Sequence, residues 1–251
     1  MTAQMVLMTF GLGALFGGFG GLFGIGGGLI AIPVLGLIEG MDQQVAQGTA
    51  LVMIVPNVML GFWKYRQRVA VDMRMAAALA VSGVAFTYFA ARIATSLNSG
   101  ELRSAFAIFM IAMAIYLAVR LLVGTATGLS RSPLPWAWSL LVGATGGLLS
   151  GFFGVGGATI APPALTTFFG VNQMAAQGLA LALIAPGTVI ALLTYANAGE
   201  VDWRTGIPLA IGGLIAVPGG VKAAHSLPEA ALRLLFCGLL VATAALLLSH
   251  R

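Results

Sequence analysis

Two glycine-rich stretches hold the residues whose types and spacing favour ligand binding. One runs from Gly21 to Pro33 and the other from Gly151 to Pro163, and apart from Thr159 both are otherwise apolar. Glycine costs about 1 kcal/mol relative to alanine inside a helix, and proline about 3 kcal/mol, so neither stretch is expected to form one straight helix. A half-helix that begins at such a break presents unpaired N–H groups and about half a positive charge, which together form an anion site.

The two breaks occupy matching places in the two halves of the chain, which is the sequence pattern of a transporter binding site. We expect Leu29 and Ala158 to begin short helices after Gly26–Gly28 and Gly156–Gly157. Backbone that is not helical is tolerated within a membrane only where it is buried or lines a water-filled cavity. Close packing of helices through small residues is the alternative explanation for each break.

Neutral polar side chains follow both breaks. The first half contains Gln47–Thr49, and the second half has a copy at Gln177–Gly178. A buried amide without a partner costs roughly 2–7 kcal/mol, so each glutamine is expected either to donate to an anion or to cap the broken helix. Asn57 and Thr159 are candidates of the same kind, each present in one half only.

The residues predicted to bind the anion share a position at a break or on the helix that follows it. They are Gly26, Gly27, Gly28, Gln47, Gly48, Thr49, Asn57, Gly156, Gly157, Ala158, Thr159, Gln177 and Gly178. None of these side chains is charged. The anion is therefore expected to be held by N–H dipoles and amides, near the middle of the bilayer.

The sequence offers little material for other chemistry. All seven acidic residues fall at the ends of predicted segments, as do His225 and His250. A membrane enzyme would need a nucleophile with its base, or a set of metal ligands, within the spans. The single cysteine, Cys237, cannot form an intrachain disulfide or a cysteine-based metal site. We therefore expect neither an enzyme nor a bound cofactor or metal.

The composition is typical of a polytopic membrane protein. Of 251 residues, 59% are hydrophobic and 8% are charged, whereas soluble domains contain roughly 25% charged residues. Because a span needs about 20 apolar residues, we expect an all-α protein that crosses the inner (plasma) membrane several times. The net charge of +5 fits basic residues that flank a membrane better than nucleic-acid binding. The expected partners are the anion and the lipid bilayer, and a homodimer is left open.

The chain repeats itself after 130 positions without a gap. Glycines, prolines and charged residues match at fixed spacing, among them Gly24 with Gly154, Pro33 with Pro163, Pro56 with Pro186 and Arg74 with Arg204. Shared apolar composition alone would not align such residues. We therefore predict a first transmembrane repeat at residues 1–123, a linker at 124–135 and a second repeat at 136–251, with one broken glycine-rich helix in each repeat.

The orientation of the two repeats depends on the path of the broken helix. If that helix turns back at its break, each half crosses the membrane an odd number of times and the halves are inverted, whereas four spans per half make them parallel. The positive-inside rule fits both arrangements equally. The loop at Lys64–Arg68 is strongly basic and its copy near Glu200–Asp202 is not. This contrast favours inverted repeats, with the basic loop in the cytoplasm.

Three motifs carry a family resemblance: the two Gly-x-Gly-Gly breaks followed by proline, the Ala-x-Gly-Thr of Ala46–Thr49, and Tyr65 followed by Val71–Asp72, which recurs as Tyr195 and Val201–Asp202. In these motifs the sequence resembles the sulfite exporter TauE/SafE family, also called the toluene-sulfonate uptake permease family. The resemblance implies a multi-span permease for a small sulfur-containing anion such as sulfite or an organosulfonate. A passive anion channel is the alternative, and the paired breaks favour a carrier with one central site.

Overall fold

The computed structural model describes residues 3–67, 69, 71–122, 134–155 and 157–227, and short pieces at 231–232, 234–235, 238–239 and 242–243. Within these residues the chain forms nine α-helices, two single-turn 3-10 helices and no β-strand. The α-helices are α1 (Ala3–Phe23), α2 (Gly28–Ile38), α3 (Gln43–Arg66), α4 (Met73–Ser96), α5 (Ser99–Leu122), α6 (Ser139–Phe153), α7 (Ala161–Phe168), α8 (Gln173–Asn197) and α9 (Trp203–Ser226). The prediction of an all-α fold is confirmed. The predicted linker, 124–135, lies outside the described residues except for Leu134 and Pro135.

Seven helical segments of the described chain are long and apolar enough to cross a membrane. They belong to α1, α3, α4, α5, the Trp136–Phe153 segment that includes α6, α8 and α9. Large apolar side chains such as Leu7, Val81 and Ile108 are 73%, 70% and 67% exposed. Such exposure suits contact with lipid. The prediction of a polytopic transmembrane protein is therefore confirmed.

The first glycine-rich stretch ends α1 and turns the chain back. Its turn residues have left-handed φ values, which residues with a Cβ rarely adopt: +69° at Gly24, +73° at Gly26 and +89° at Gly27. The N–H of Ile25 donates to the carbonyl of Gly20 (3.1 Å), and Gly27 lies against the carbonyl of Phe16. The loop therefore folds back along α1. The 11 residues of α2 then rise only about 16 Å, roughly half of the hydrocarbon core.

The second glycine-rich stretch ends α6 in the same way. Gly154 has a φ of +69°, and Gly157 packs against the backbone of Gly146. The contact of Gly157 with Gly146 corresponds, after a shift of 130 positions, to the contact of Gly27 with Phe16. Both loops therefore fold back along the helix that precedes them. Gly156 lies outside the described residues.

The two half-helices begin differently. α2 begins at Gly28, one residue before the predicted start, whereas Ala158 lies in a single 3-10 turn and α7 begins only at Ala161. Proline lacks an N–H group, and its fixed φ suits the first turn of a helix. Pro162 and Pro163 therefore place the start of α7 after the position that the alignment with α2 predicts.

Two helix pairs pack through glycines. α1 lies against α9 through Gly13 with Leu209, Gly17 with Gly213 and Gly21 with Val217. α6 lies against α4 through Gly143 with Leu79, Gly147 with Gly83 and Gly151 with Thr87. In each pair both helices advance in the same direction, and a shift of 130 relates one pair to the other. A methyl group at any glycine of α1 or α6 in these contacts would overlap its neighbour, so only glycine permits this approach.

Replacing Gly17 with alanine is expected to destabilise the protein. Its methyl group would overlap the backbone of Gly213, which cannot rotate away as a side chain can. Overpacking costs about 1–3 kcal/mol, so the thermal midpoint of the detergent-solubilised protein should fall. The matched control is Gly11→Ala, because a Cβ at Gly11 meets nothing within 4 Å. Equal midpoints for the two variants would contradict the packing.

α3 and α8, which a shift of 130 relates, cross in antiparallel fashion. Tyr65 near the end of α3 lies beside Gln177 near the start of α8, and Tyr195 near the end of α8 lies beside Gln47 near the start of α3. Between these contacts, Gly61 faces Leu181. Parallel halves would place corresponding helices parallel, so this crossing is the geometry expected of inverted halves.

Candidate functional site

Gln47 lies where α3 passes the second break. Its side chain is 0% exposed, and its Oε1 accepts a hydrogen bond from Tyr195 Oη at 2.6 Å. Its Nε2 has no hydrogen-bond partner within the described residues. Gly154 lies alongside, since a Cβ built there would be 3.4 Å from Gln47 Cβ. Because Tyr195 holds the oxygen, the amide nitrogen is the group that remains to bind a ligand.

The start of α2 reaches the same place. A Cβ built on Gly28 would lie 3.4 Å from the carbonyl oxygen of Gly154. The first hydrogen bond along α2 is donated by Ile30 to the carbonyl of Gly27 (3.3 Å). The N–H groups of residues 26–29 are buried and donate no hydrogen bond within the described part of the chain. A buried helix start of this kind requires a partner for its N–H groups.

Gly28, Gln47 and Gly154 together form what we call the break junction. It joins the start of the first half-helix, the glutamine of α3 and the end of α6. The helix start and the glutamine both supply hydrogen-bond donors, and a helix start adds about half a positive charge. Donors of this kind, at a helix start and on an amide, are the groups that bind small anions in proteins.

The second break differs from the first in its hydrogen-bonding groups: it has the hydroxyl group of Thr159 and fewer backbone N–H groups. Thr159 is 4% exposed, and its Oγ1 has no hydrogen-bond partner in the ranges that the structure describes. It shares its 3-10 turn with Gly157 and Ala158. Pro162 and Pro163 in the first turn of α7 supply no N–H, so this half-helix has fewer donors than α2.

Gly48, Thr49 and Gly178 make loop contacts. Thr49 Oγ1 accepts a hydrogen bond from the N–H of Asp202 (3.0 Å), and Gly48 lies against the carbonyl of Glu200. Gly178 faces the loop before α4 in the corresponding way. The structure thus places these three residues where α3 and α8 meet neighbouring loops, and it does not bring them to the break junction.

Asn57 and Gln177 also lie outside the break junction. Asn57 packs against Gly213 with 2% exposure, and neither atom of its amide group has a partner among the residues described. Gln177 is half-buried, and its Oε1 accepts from Tyr65 Oη at 3.0 Å. A Cβ built on Gly24 meets nothing within 4 Å in the described part of the chain, so Gly24 and Gln177 do not form a contact that corresponds to the one between Gly154 and Gln47.

Tyr65 and Tyr195 were not predicted as site residues. Each tyrosine follows the glutamine of its own half by 18 positions, from Gln47 and from Gln177. Eighteen residues make about five turns of α-helix, so glutamine and tyrosine share one helix face. This repeated spacing is a signal that could have identified both tyrosines, although it does not reveal that each pairs with the glutamine of the other half.

Comparisons with known proteins agree with the membrane fold. A family model described as sulfite exporter TauE/SafE matches residues 9–247. A probable membrane transporter protein of Xylella fastidiosa (strain 9a5c) is 28% identical over 226 residues, which cover 85% of this chain and 83% of that protein. Another, of Methanocaldococcus jannaschii, is 25% identical over 213 residues, which cover 82% and 77%. No solved structure matches the chain.

The names of these relatives describe membrane transporters and not enzymes. The family model covers nearly the whole chain, and it includes every described helix that is long enough to span a bilayer, apart from the first turns of α1. The protein therefore belongs to the sulfite exporter TauE/SafE family of membrane transporters.

Proposed function

We propose that the protein carries a small sulfur oxyanion, such as sulfite or an organosulfonate, across the inner (plasma) membrane, and that it binds this anion at the break junction. The observation that carries the proposal is that Gln47 Nε2 and the N–H groups at the start of α2 are buried, have no hydrogen-bond partner among the described residues, and belong to residues that both pack near Gly154. Sulfite and sulfonates have three oxygens on one sulfur atom. They can therefore accept several converging hydrogen bonds within a small volume.

The donors at the break junction are neutral, which limits the affinity. A helix start contributes typically 0.3–1 kcal/mol and up to about 2 kcal/mol when partly buried. Two or three hydrogen bonds to a charged ligand contribute about 1.5–3 kcal/mol each, against the cost of removing the anion from water. We expect a dissociation constant in the micromolar to millimolar range, about −8 to −4 kcal/mol. Such an affinity allows a carrier to release its load.

The pairing of α3 with α8 supports transport by alternating access. Tyr195 and Gln47 join the two helices near one end, and Tyr65 and Gln177 join them near the other, about 27 Å away along α3. When both hydrogen bonds are formed, they hold α3 and α8 together at both ends of the pair. Because Gln47 belongs to the break junction, opening the Tyr195–Gln47 end would expose the junction to one side of the membrane, and access from the other side would need the Tyr65–Gln177 end and the helices between to separate in turn, as inverted repeats do in other carriers.

The same inversion predicts that the loops after α3 and α8 lie on opposite sides of the membrane. Lys64 and Arg66 in the last turn of α3 favour a cytoplasmic position for the first loop. Single cysteines at Gln67 and Ala198, both exposed, can be introduced after Cys237→Ser. In intact cells, an impermeant thiol reagent should label Ala198→Cys and spare Gln67→Cys. Labelling of both sites from one side would mean that the halves are parallel.

Uptake into proteoliposomes tests the function. Labelled sulfite, thiosulfate, sulfate and a taurine-like sulfonate would be supplied to vesicles with the protein and to empty vesicles. We expect saturable uptake of at least one sulfur oxyanion, accelerated when the same anion is loaded on the opposite side. A flux that does not saturate and shows no such acceleration would indicate a passive anion channel. No flux of any of these anions would overturn the proposed substrate class.

A further inference from the structure

A second polar site lies at the end of the bundle, where α2 ends and where α3 and α5 begin. A cavity of about 50 Å³ opens there, lined by Asp42, Gln43, Ser99 and Arg103 with apolar residues of α2. A water molecule needs about 10–15 Å³, so the cavity has room for a group of a few heavy atoms. None of these four residues was among those predicted to bind the anion.

The donors around this cavity converge from two helix starts. Gln43 is the first residue of α3 and Ser99 the first residue of α5, and the N–H of Gln43 donates to Ser99 Oγ at 2.9 Å. The Gln43 side chain is 6% exposed, and its Nε2 is buried without a hydrogen-bond partner among the described residues. Arg103 adds a positive charge and a guanidinium group with five N–H donors.

Ile32 separates this cavity from the break junction. Its side chain lines the cavity, and its Cδ1 would lie 3.5 Å from a Cβ built on Gly154. Along α2, Ile32 is about 6 Å from Gly28. Ile32 therefore borders both the polar cavity and Gly154 of the break junction, and a group that moves from one to the other would have to pass it.

From this geometry we propose that the cavity is a vestibule site for the transported oxyanion, held by Arg103, Gln43 and Ser99 before it passes Ile32. The identity of the anion rests on the proposed function, whereas the presence of an anion site here does not. Asp42 lines the same cavity and opposes an anion by charge repulsion. The position that corresponds to Asp42 in the second half is Asn172, which is neutral and caps α8.

Thiol modification of the full chain in detergent measures the charge preference of the cavity. After Cys237→Ser, a cysteine at Gly36 lines the cavity, and a cysteine at the exposed Ala198, on the same end of the bundle, is the control. Each is modified with 2-sulfonatoethyl methanethiosulfonate, which is itself a small sulfonate, and with its trimethylammonium analogue. The measured quantity is the ratio of the anionic to the cationic rate.

We expect a higher ratio at Gly36→Cys than at Ala198→Cys, and we expect the removal of either charge of the cavity to change that ratio about tenfold, since a single charge a few ångströms away has an effect of this size. Arg103→Gln should remove most of this difference, Asp42→Asn should increase it, and Arg103→Lys should preserve it. Arg92→Gln, which removes an exposed arginine of α4, is the matched control and should change nothing. Methanesulfonate should slow the reaction at Gly36→Cys, and Gln43→Leu should weaken this protection.

A ratio that Arg103→Gln and Asp42→Asn leave unchanged would overturn the vestibule site. Transport of sulfur oxyanions by the same preparations distinguishes the two proposals. If transport is normal but the ratio of modification rates does not change in the Arg103 and Asp42 variants, the vestibule site is wrong and the proposed function stands. If the ratio changes in these variants but no sulfur oxyanion is transported, the cavity still binds anions and the proposed substrate is wrong.

Discussion

Replacing Gly28 with alanine is expected to reduce anion transport about tenfold or more while the protein still folds and inserts. The new methyl group would lie 3.4 Å from the carbonyl of Gly154, in the space where the anion is proposed to bind. Gly28 does not have a left-handed φ, so alanine fits its backbone without strain. Its closest neighbour, at 2.6 Å, is the terminal Cδ1 of Ile54, which can rotate away. Uptake into proteoliposomes at a subsaturating anion concentration measures the effect.

The matched control for this variant is Gly18→Ala. A Cβ at Gly18 meets only Ala216 Cβ at 4.0 Å, an ordinary contact near the end of α1. This variant should transport at the wild-type rate. Gly26→Leu is a weaker test, because the left-handed φ of +73° and the contacts with Ile54 and Val58 would impair folding as well. If Gly28→Ala also transports at the wild-type rate, the breaks serve helix packing and the anion binds elsewhere.

Removing the Gln47 amide is expected to weaken anion binding about tenfold to a hundredfold, because a hydrogen bond to a charged ligand contributes about 1.5–3 kcal/mol. Tyr195→Phe should weaken binding about threefold to tenfold, since it releases Oε1 and lets the amide turn away from the anion. The double variant, Gln47→Ala with Tyr195→Phe, should bind no more weakly than Gln47→Ala alone. Tyr195 would then act only through Gln47. Calorimetry on the detergent-solubilised protein measures all three constants.

Tyr88→Phe controls for the loss of a tyrosine hydroxyl. Tyr88 is exposed on α4, and its Oη accepts a hydrogen bond only from Arg92, at 3.4 Å, within the described residues. Binding by this variant should match the wild type. Additive losses for Gln47→Ala and Tyr195→Phe would show that the tyrosine contributes separately, and unchanged binding in Gln47→Ala would place the anion away from the break junction.

The glycines of this chain have two physical roles that their sequence context does not separate. Gly24, Gly26 and Gly27 adopt left-handed φ values between the end of α1 and the start of α2. Gly13 and Gly17 have ordinary helical backbone and allow α1 to approach α9. Close packing through small residues was the alternative offered for the breaks, and Gly27, where a Cβ would overlap the carbonyl of Phe16, combines a left-handed φ with such packing.

The sequence by itself determined the features that depend on composition and local conformation. The low charge and the long apolar runs required several membrane-crossing helices, and the glycines at 24–27 made a continuous helix unfavourable there. The fixed shift of 130 also indicated which positions correspond. These properties can be derived from neighbouring residues and from a comparison of the chain with itself, so they needed no knowledge of packing.

Only the tertiary structure decided which polar atoms meet. The hydrogen bond between Tyr195 and Gln47 joins residues 148 positions apart, and it leaves Nε2 of that amide without a hydrogen-bond partner among the residues that the structure describes. The sequence likewise gives no sign that Gln43, Ser99 and Arg103 surround one cavity. These arrangements depend on how α3 crosses α8 and on how α5 meets α2. Such packing is a property of all the helices together, because each apolar face can satisfy its burial in several ways until its neighbours are in place.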